Sequence, residues 1–174
     1  MNKKVLAFYC AAAVLLGQFF LCFTIANALT DNQKTAISDN CSQIKTILHN
    51  IQHEDSRARV YLGASYETIR SKFINALNHR LVDNGIAAPE LVNNQAAFSA
   101  AQDNFKDDFI DYQKTLEELI GVDCENNPDD FYQKLITVRE KRHIMVQDIS
   151  KLSEVIEKHL ALIAELKGNL WQTI

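Results

Sequence analysis

The stretch Phe131–Leu170, FYQKLITVREKRHIMVQDISKLSEVIEKHLALIAELKGNL, decides the fold class. Read in alternating steps of four and three, Phe131, Leu135, Val138, Arg142, Met145, Ile149, Leu152, Ile156, His159, Ile163, Leu166 and Leu170 form one stripe, apolar at ten of twelve positions. A seven-residue repeat keeps such side chains on one face of a helix. A helix of roughly 40 residues is ~60 Å long, more than a compact globule packs, so it needs partners of similar length along its seam.

Two earlier stripes supply those partners. The first runs through Ile37, Cys41, Ile44, Leu48, Ile51, Asp55, Ala58, Leu62, Ser65 and Ile69, then drifts by one position through Phe73, Ala76, Leu77 and Leu81. Such drift is expected when a ~3.6-residue helix is read against a 3.5-residue template. Asp55, Gly63 and Ser65 weaken its middle and predict a kink or a wet patch there. Gly85 suits the left-handed position past a helix end, and Pro89 prevents continuation. The second stripe, Leu91, Phe98, Ala101, Phe105, Phe109, Tyr112, Leu116 and Leu119, is more aromatic. Asn93, Asn94 and Gln95 are poor helix formers, so regular helix is expected only from near Gln95. Gly121 ends the stripe, and Pro128 followed by Asp129 and Asp130 starts the last helix.

The expected architecture is therefore all-α, an elongated antiparallel three-helix bundle with helices over about 33–84, 90–120 and 128–170. With only two prolines and five glycines, and no period-two alternation of β-branched residues, a sheet is not expected.

The N-terminus predicts the compartment. Met1 to Lys4 is basic, Val5 to Ala26 is apolar apart from Gly17, Gln18 and Thr24, and Ala26-Asn27-Ala28 has the small-x-small pattern of a signal-peptidase site. Two outcomes follow: cleavage after Ala28, or retention of residues 1–28 as a transmembrane anchor, since an apolar run of this length also spans a bilayer. Either delivers residues 29–174 outside the cytoplasm, to the cell surface or the medium. Cys10 and Cys22 follow Tyr9 and Leu21 rather than small residues, which argues against lipid attachment. Cys41 and Cys124 remain, and an even pair in an oxidising compartment predicts one disulfide between them.

Charge and motifs narrow the function classes. The net charge is −4; without Lys3 and Lys4 the counts are 16 basic and 22 acidic, or −6, which argues against nucleic-acid binding. The cluster Arg139, Lys141, Arg142 and His143 is broken by Glu140 and is expected to be a solvated face. Ser42-Gln43-Ile44-Lys45 and Ser38-Asp39-Asn40 spell two motifs of penicillin-binding enzymes, but such enzymes need a third strand motif in a large mixed domain. His49 and His53, four apart, are the candidate metal ligands, with Glu54 nearby and no third ligand evident. The acidic groups Asp107, Asp108, Asp111, Glu117 and Glu118, and Asp123, Glu125, Asp129 and Asp130, lack EF-hand spacing. Arg142 and His159 interrupt the last seam, where single polar residues commonly set register.

Cys41, Tyr61, Tyr66, Arg80-Leu81 before Gly85, Phe105, Tyr112, Cys124, Phe131 and Arg139, on three helices behind an export segment, resemble a group of uncharacterised exported helical proteins of ultrasmall candidate-phylum bacteria. The resemblance spans residues 41 to 166 and implies an exported, disulfide-tied bundle. The expectation is a non-enzymatic protein of cell-envelope organisation or surface interaction, with a protein or envelope partner, no cofactor and a membrane encountered during export. The alternative is a metal-binding protein or metalloenzyme using His49 and His53.

Overall fold

The computed structural model describes residues 29–172, with side chains through Asn169. The export segment, the Ala26 and Ala28 cleavage site, Cys10, Cys22 and the side chains of Leu170 and Trp171 lie outside the described residues.

The described residues are helical almost throughout, and none of them is in a strand. Helix α1 spans Asp31–Asp39, α2 Cys41–Thr68, α3 Asn75–Asp83, α4 Pro89–Gly121 and α5 Pro128–Gln172, with a π-helical turn Ile69–Ile74 between α2 and α3. Thr30 caps α1: its hydroxyl accepts the Gln33 N–H while Gln33 Oε1 accepts the Thr30 N–H, a reciprocal capping box. Pro89 and Pro128 occupy the first positions of α4 and α5, where a missing N–H costs nothing. Helix α3 is closed just past its end by Gly85, φ +66°. There Ile86 N–H donates to Leu81 O and Gly85 N–H to Val82 O, the paired bonds of a left-handed glycine cap.

The helix expected over about 33–84 is divided. Asn40 interrupts the ladder, its side-chain amide donating to Ala36 O at 2.8 Å, and α2 restarts at Cys41. The second irregularity is the π turn, where Asn75 N–H reaches back five residues to Arg70 O. It lies beyond the Asp55–Ser65 region where a kink was expected. A π turn inserts one residue, so the inward face moves on by one. Ile74 and Asn78 are therefore buried, and Phe73, expected in the seam, is 65% exposed.

Helix α4 supplies the centre of the core. Phe98, Ala101, Phe105, Phe109, Tyr112, Leu116 and Leu119 are buried, and Tyr66 of α2 meets Phe98 and Phe105 edge-on at 6.4 and 5.8 Å. Phe131, Val138, Met145, Leu152 and Val155 close the core from α5. Regular helix extends back to Pro89 rather than beginning near Gln95. The reason is local: the weak helix former Asn94 is buried and donates to the Val155 carbonyl of α5, so tertiary contact outweighs propensity.

Partners across helices run in opposite order between α2 or α3 and α4, from Ser56–Gln113 through Glu67–Gln102 to Asn78–Gln95. The same holds between α4 and α5, from Lys134–Glu118 through Lys141–Asp111 to Asn94–His159. Cys41 and Cys124 stand at disulfide distance with Cα atoms 5.5 Å apart, joining the start of α2 to the α4–α5 connection.

Candidate functional site

Where the π turn and α3 face α5, the helices leave a cleft of about 410 Å³. Its walls are apolar: Ile69, Ile74 and Leu77 on one side, Ile156 and Ile163 on the other. Phe73 and Leu160, 65% and 61% exposed, also line it and keep large apolar side chains in contact with water. The π turn creates this opening, because the inserted residue carries Phe73 off the buried face. Lys72 and Arg80 are the charged residues that line the cleft, and both are basic.

One polar side chain is built into this apolar wall. His159 is 4% exposed, and burial pushes its imidazole below the ordinary histidine value, so it is neutral near pH 7. Its tautomer follows from its neighbour. The Asn94 amide nitrogen donates to the Val155 carbonyl at 3.1 Å, which orients the amide, and the same nitrogen lies 3.1 Å from His159 Nδ1. Nδ1 therefore accepts, and the ring proton sits on Nε2. That Nε2–H is buried and has no protein acceptor. A buried donor without a partner costs about 1–3 kcal/mol.

The second polar interruption of α5 lies elsewhere. Arg142 donates from Nε and Nη2 to the two Asp55 oxygens, both at 3.1 Å, and the hydroxyl of fully buried Tyr112 donates to Asp55 Oδ2 at 2.6 Å. Burial, and then the Asp55 hydrogen bond, hold the Tyr112 phenol well above its usual range. A carboxylate that accepts three hydrogen bonds from two other helices makes an interhelix clamp.

His49 and His53 are both on the exposed surface, and His53 Nδ1 lies 3.4 Å from Glu54 Oε1. Among the described residues no group of three His, Cys, Asp or Glu side chains is gathered as a metal site. The acidic residues divide between surface pairs and the α4–α5 face: Asp129 holds Lys34 at 2.6 Å, Asp111 pairs with Lys141, and Asp123 accepts from Asn126. Lys141 and Arg142 of the basic cluster are thereby paired with α4 and α2. No helix among the described residues is long and apolar enough to cross a membrane.

No family model, curated protein or solved structure matches the chain. Sequence reading missed the place of Lys72 and Arg80 in the cleft and that of Asn94 against His159. For Asn94 a signal existed. The stripe of α4 skips from Leu91 to Phe98, and the vacant inward position three residues after Leu91 is Asn94.

Proposed function

We propose that the chain is a non-enzymatic exported protein whose helical domain, an elongated antiparallel three-helix bundle, serves surface interaction or organisation of the cell envelope. The observation that carries this reading is the cysteine pair. Cys41 and Cys124 are at disulfide distance although 83 positions apart in sequence, an arrangement suited to an oxidising compartment. The basic and apolar N-terminus, with Ala26 and Ala28 around a processable bond, supports the same placement, as does the resemblance to exported helical proteins of ultrasmall bacteria. The reversed order of partners along α2, α4 and α5 supports the antiparallel arrangement. The cleft at the π turn, with Phe73 and Leu160 held open to solvent, is the contact face.

The test is protease added to intact cells of the native host, with thiol labelling of the denatured, unreduced protein. Residues 29–174 should be digested while a cytoplasmic marker survives, and Cys41 and Cys124 should label only after reduction. A protected chain in which Cys41 and Cys124 both label without reduction would overturn the reading.

A further inference from the structure

We propose that the cleft between the π turn and α5 binds the hydrocarbon chain of a free long-chain carboxylate, whose head accepts the Nε2–H of His159 and is attracted by Lys72 and Arg80. The inference rests on reading this face as an interaction surface, and adds the chemistry of the ligand.

Volume and lining indicate a mainly apolar occupant. About 410 Å³ falls within the ~300–1,000 Å³ range of small-molecule sites, and Ile69, Ile74, Leu77, Ile156 and Ile163 offer an alkyl chain apolar contact. A peptide fits less well, because every residue brings backbone N–H and C=O groups and these aliphatic walls give them no partners. An alkyl chain brings no such groups. It needs one polar partner at its head, and His159, which lines the cleft, has a buried Nε2–H without an acceptor.

Charge selects the head group. In a chain of net charge −4 the two charged residues lining the cleft, Lys72 and Arg80, are both basic. Neither has an ion-pair partner among the described residues. A carboxylate therefore meets a neutral hydrogen-bond donor and a positive field, whereas an alkylammonium meets repulsion and a donor it cannot use. The Asn94–His159 contact keeps the Nε2 proton in place, since Nδ1 is already committed as acceptor.

The experiment uses the full chain and a dansyl-labelled long-chain carboxylate, displaced by palmitate, by hexadecanol or by hexadecyltrimethylammonium at concentrations below micelle formation. Palmitate should displace one probe per chain and outcompete hexadecanol about tenfold, with the ammonium weakest. Leu77→Trp, which fills the cleft, should weaken probe binding at least about tenfold. His159→Phe should weaken it about tenfold, and Lys72→Ala a few-fold with a flatter salt dependence. Lys72 is exposed, so that variant tests the proposal even where a core variant fails to fold. Binding unchanged in both Leu77→Trp and Lys72→Ala, equal competition by the ammonium, or no displacement by palmitate would each overturn the proposal. Such failure would leave cell-surface exposure and the Cys41–Cys124 bridge standing, because protease and thiol labelling read those separately.

Discussion

Removing the Tyr112 hydroxyl tests whether the Asp55 clamp ties α2, α4 and α5 together. Tyr112 is fully buried, its hydroxyl lies 2.6 Å from Asp55 Oδ2, and the Asp55 side chain is 15% exposed. Hydrogen bonds to charged groups contribute about 1.5–3 kcal/mol. Because Asp55 retains Arg142 when the hydroxyl is removed, Tyr112→Phe should cost about 1.5–2 kcal/mol. Arg142 is 52% exposed, so solvent screens its pair and Arg142→Met should cost only about 1 kcal/mol. Asp55→Ala strands the buried hydroxyl as well as losing the hydrogen bonds from Tyr112 and Arg142, for about 3 kcal/mol. In the Tyr112→Phe background there is no hydroxyl to strand, so Asp55→Ala should cost about 1.5 kcal/mol, a coupling of about 1.5 kcal/mol. The assay is urea unfolding at pH 7 followed by circular dichroism, comparing midpoints at unchanged slope. At ~2.1 cal/mol/K per residue over roughly 145 residues, 2 kcal/mol also corresponds to about 6–7 °C in Tm. A coupling below about 0.5 kcal/mol would refute the clamp and make Asp55 a solvated irregularity of the first helix.

Two further outcomes follow from the geometry. Reducing the Cys41–Cys124 bridge, or replacing both cysteines by serine, should cost about 2–5 kcal/mol and lower Tm by about 6–16 °C; thermal melts with and without reductant check this, and a fall below about 2 °C would contradict it. Burial first, then the hydrogen bond with Asp108 and its charge, push the Asp148 carboxyl up to about 6. Its folded value lies above the unfolded value near 3.9, so its contribution is fully present below about pH 4 and is lost as pH rises through about 6. Asp148→Asn removes that loss. The variant should be more stable than the natural chain by about 1–2 kcal/mol at pH 7.5, after allowing for solvent around a partly exposed group, with the gain vanishing near pH 4. Urea midpoints at the two pH values decide, and an offset independent of pH would sink the assignment.

How much of this was legible in the sequence differs from helix to helix. Every apolar position read for α4, from Leu91 to Leu119, is buried, because an uninterrupted α-helix carries a face forward at a constant angle. Gly85 was legible because a left-handed cap has few alternatives to glycine. On the first helix the reading fails at Phe73, since a periodic template assumes i,i+4 bonding and has no way to place an inserted residue. The buried residue is Ile74, and the cleft was invisible from the sequence for the same reason. Asp55 and Arg142 were each visible as polar interruptions. Their pairing was not, because a stripe shows which face is inward and says nothing of which level on one helix meets which level on another. Asn94 and His159 illustrate the same gap, 65 positions apart in sequence and 3.1 Å apart in space.

Those polar positions do what the apolar stripes cannot. A seam of Leu, Ile and Phe repeating every seven residues stays largely apolar when one helix slides by a heptad, so burial alone discriminates weakly between registers. Sliding α5 by seven residues against α4 would take His159 from Asn94 and leave both polar groups in the apolar interior. Sliding α2 would take Asp55 from Tyr112 and strand a hydroxyl that has no access to water. Each orphaned group costs about 1–3 kcal/mol, so two or three of them are comparable with the ~5–15 kcal/mol net stability of a whole domain. Register and cleft are thus linked through one residue. Asn94 opposite His159 rejects the slipped packing, and the same contact keeps the proton on Nε2, which has no acceptor among the described residues.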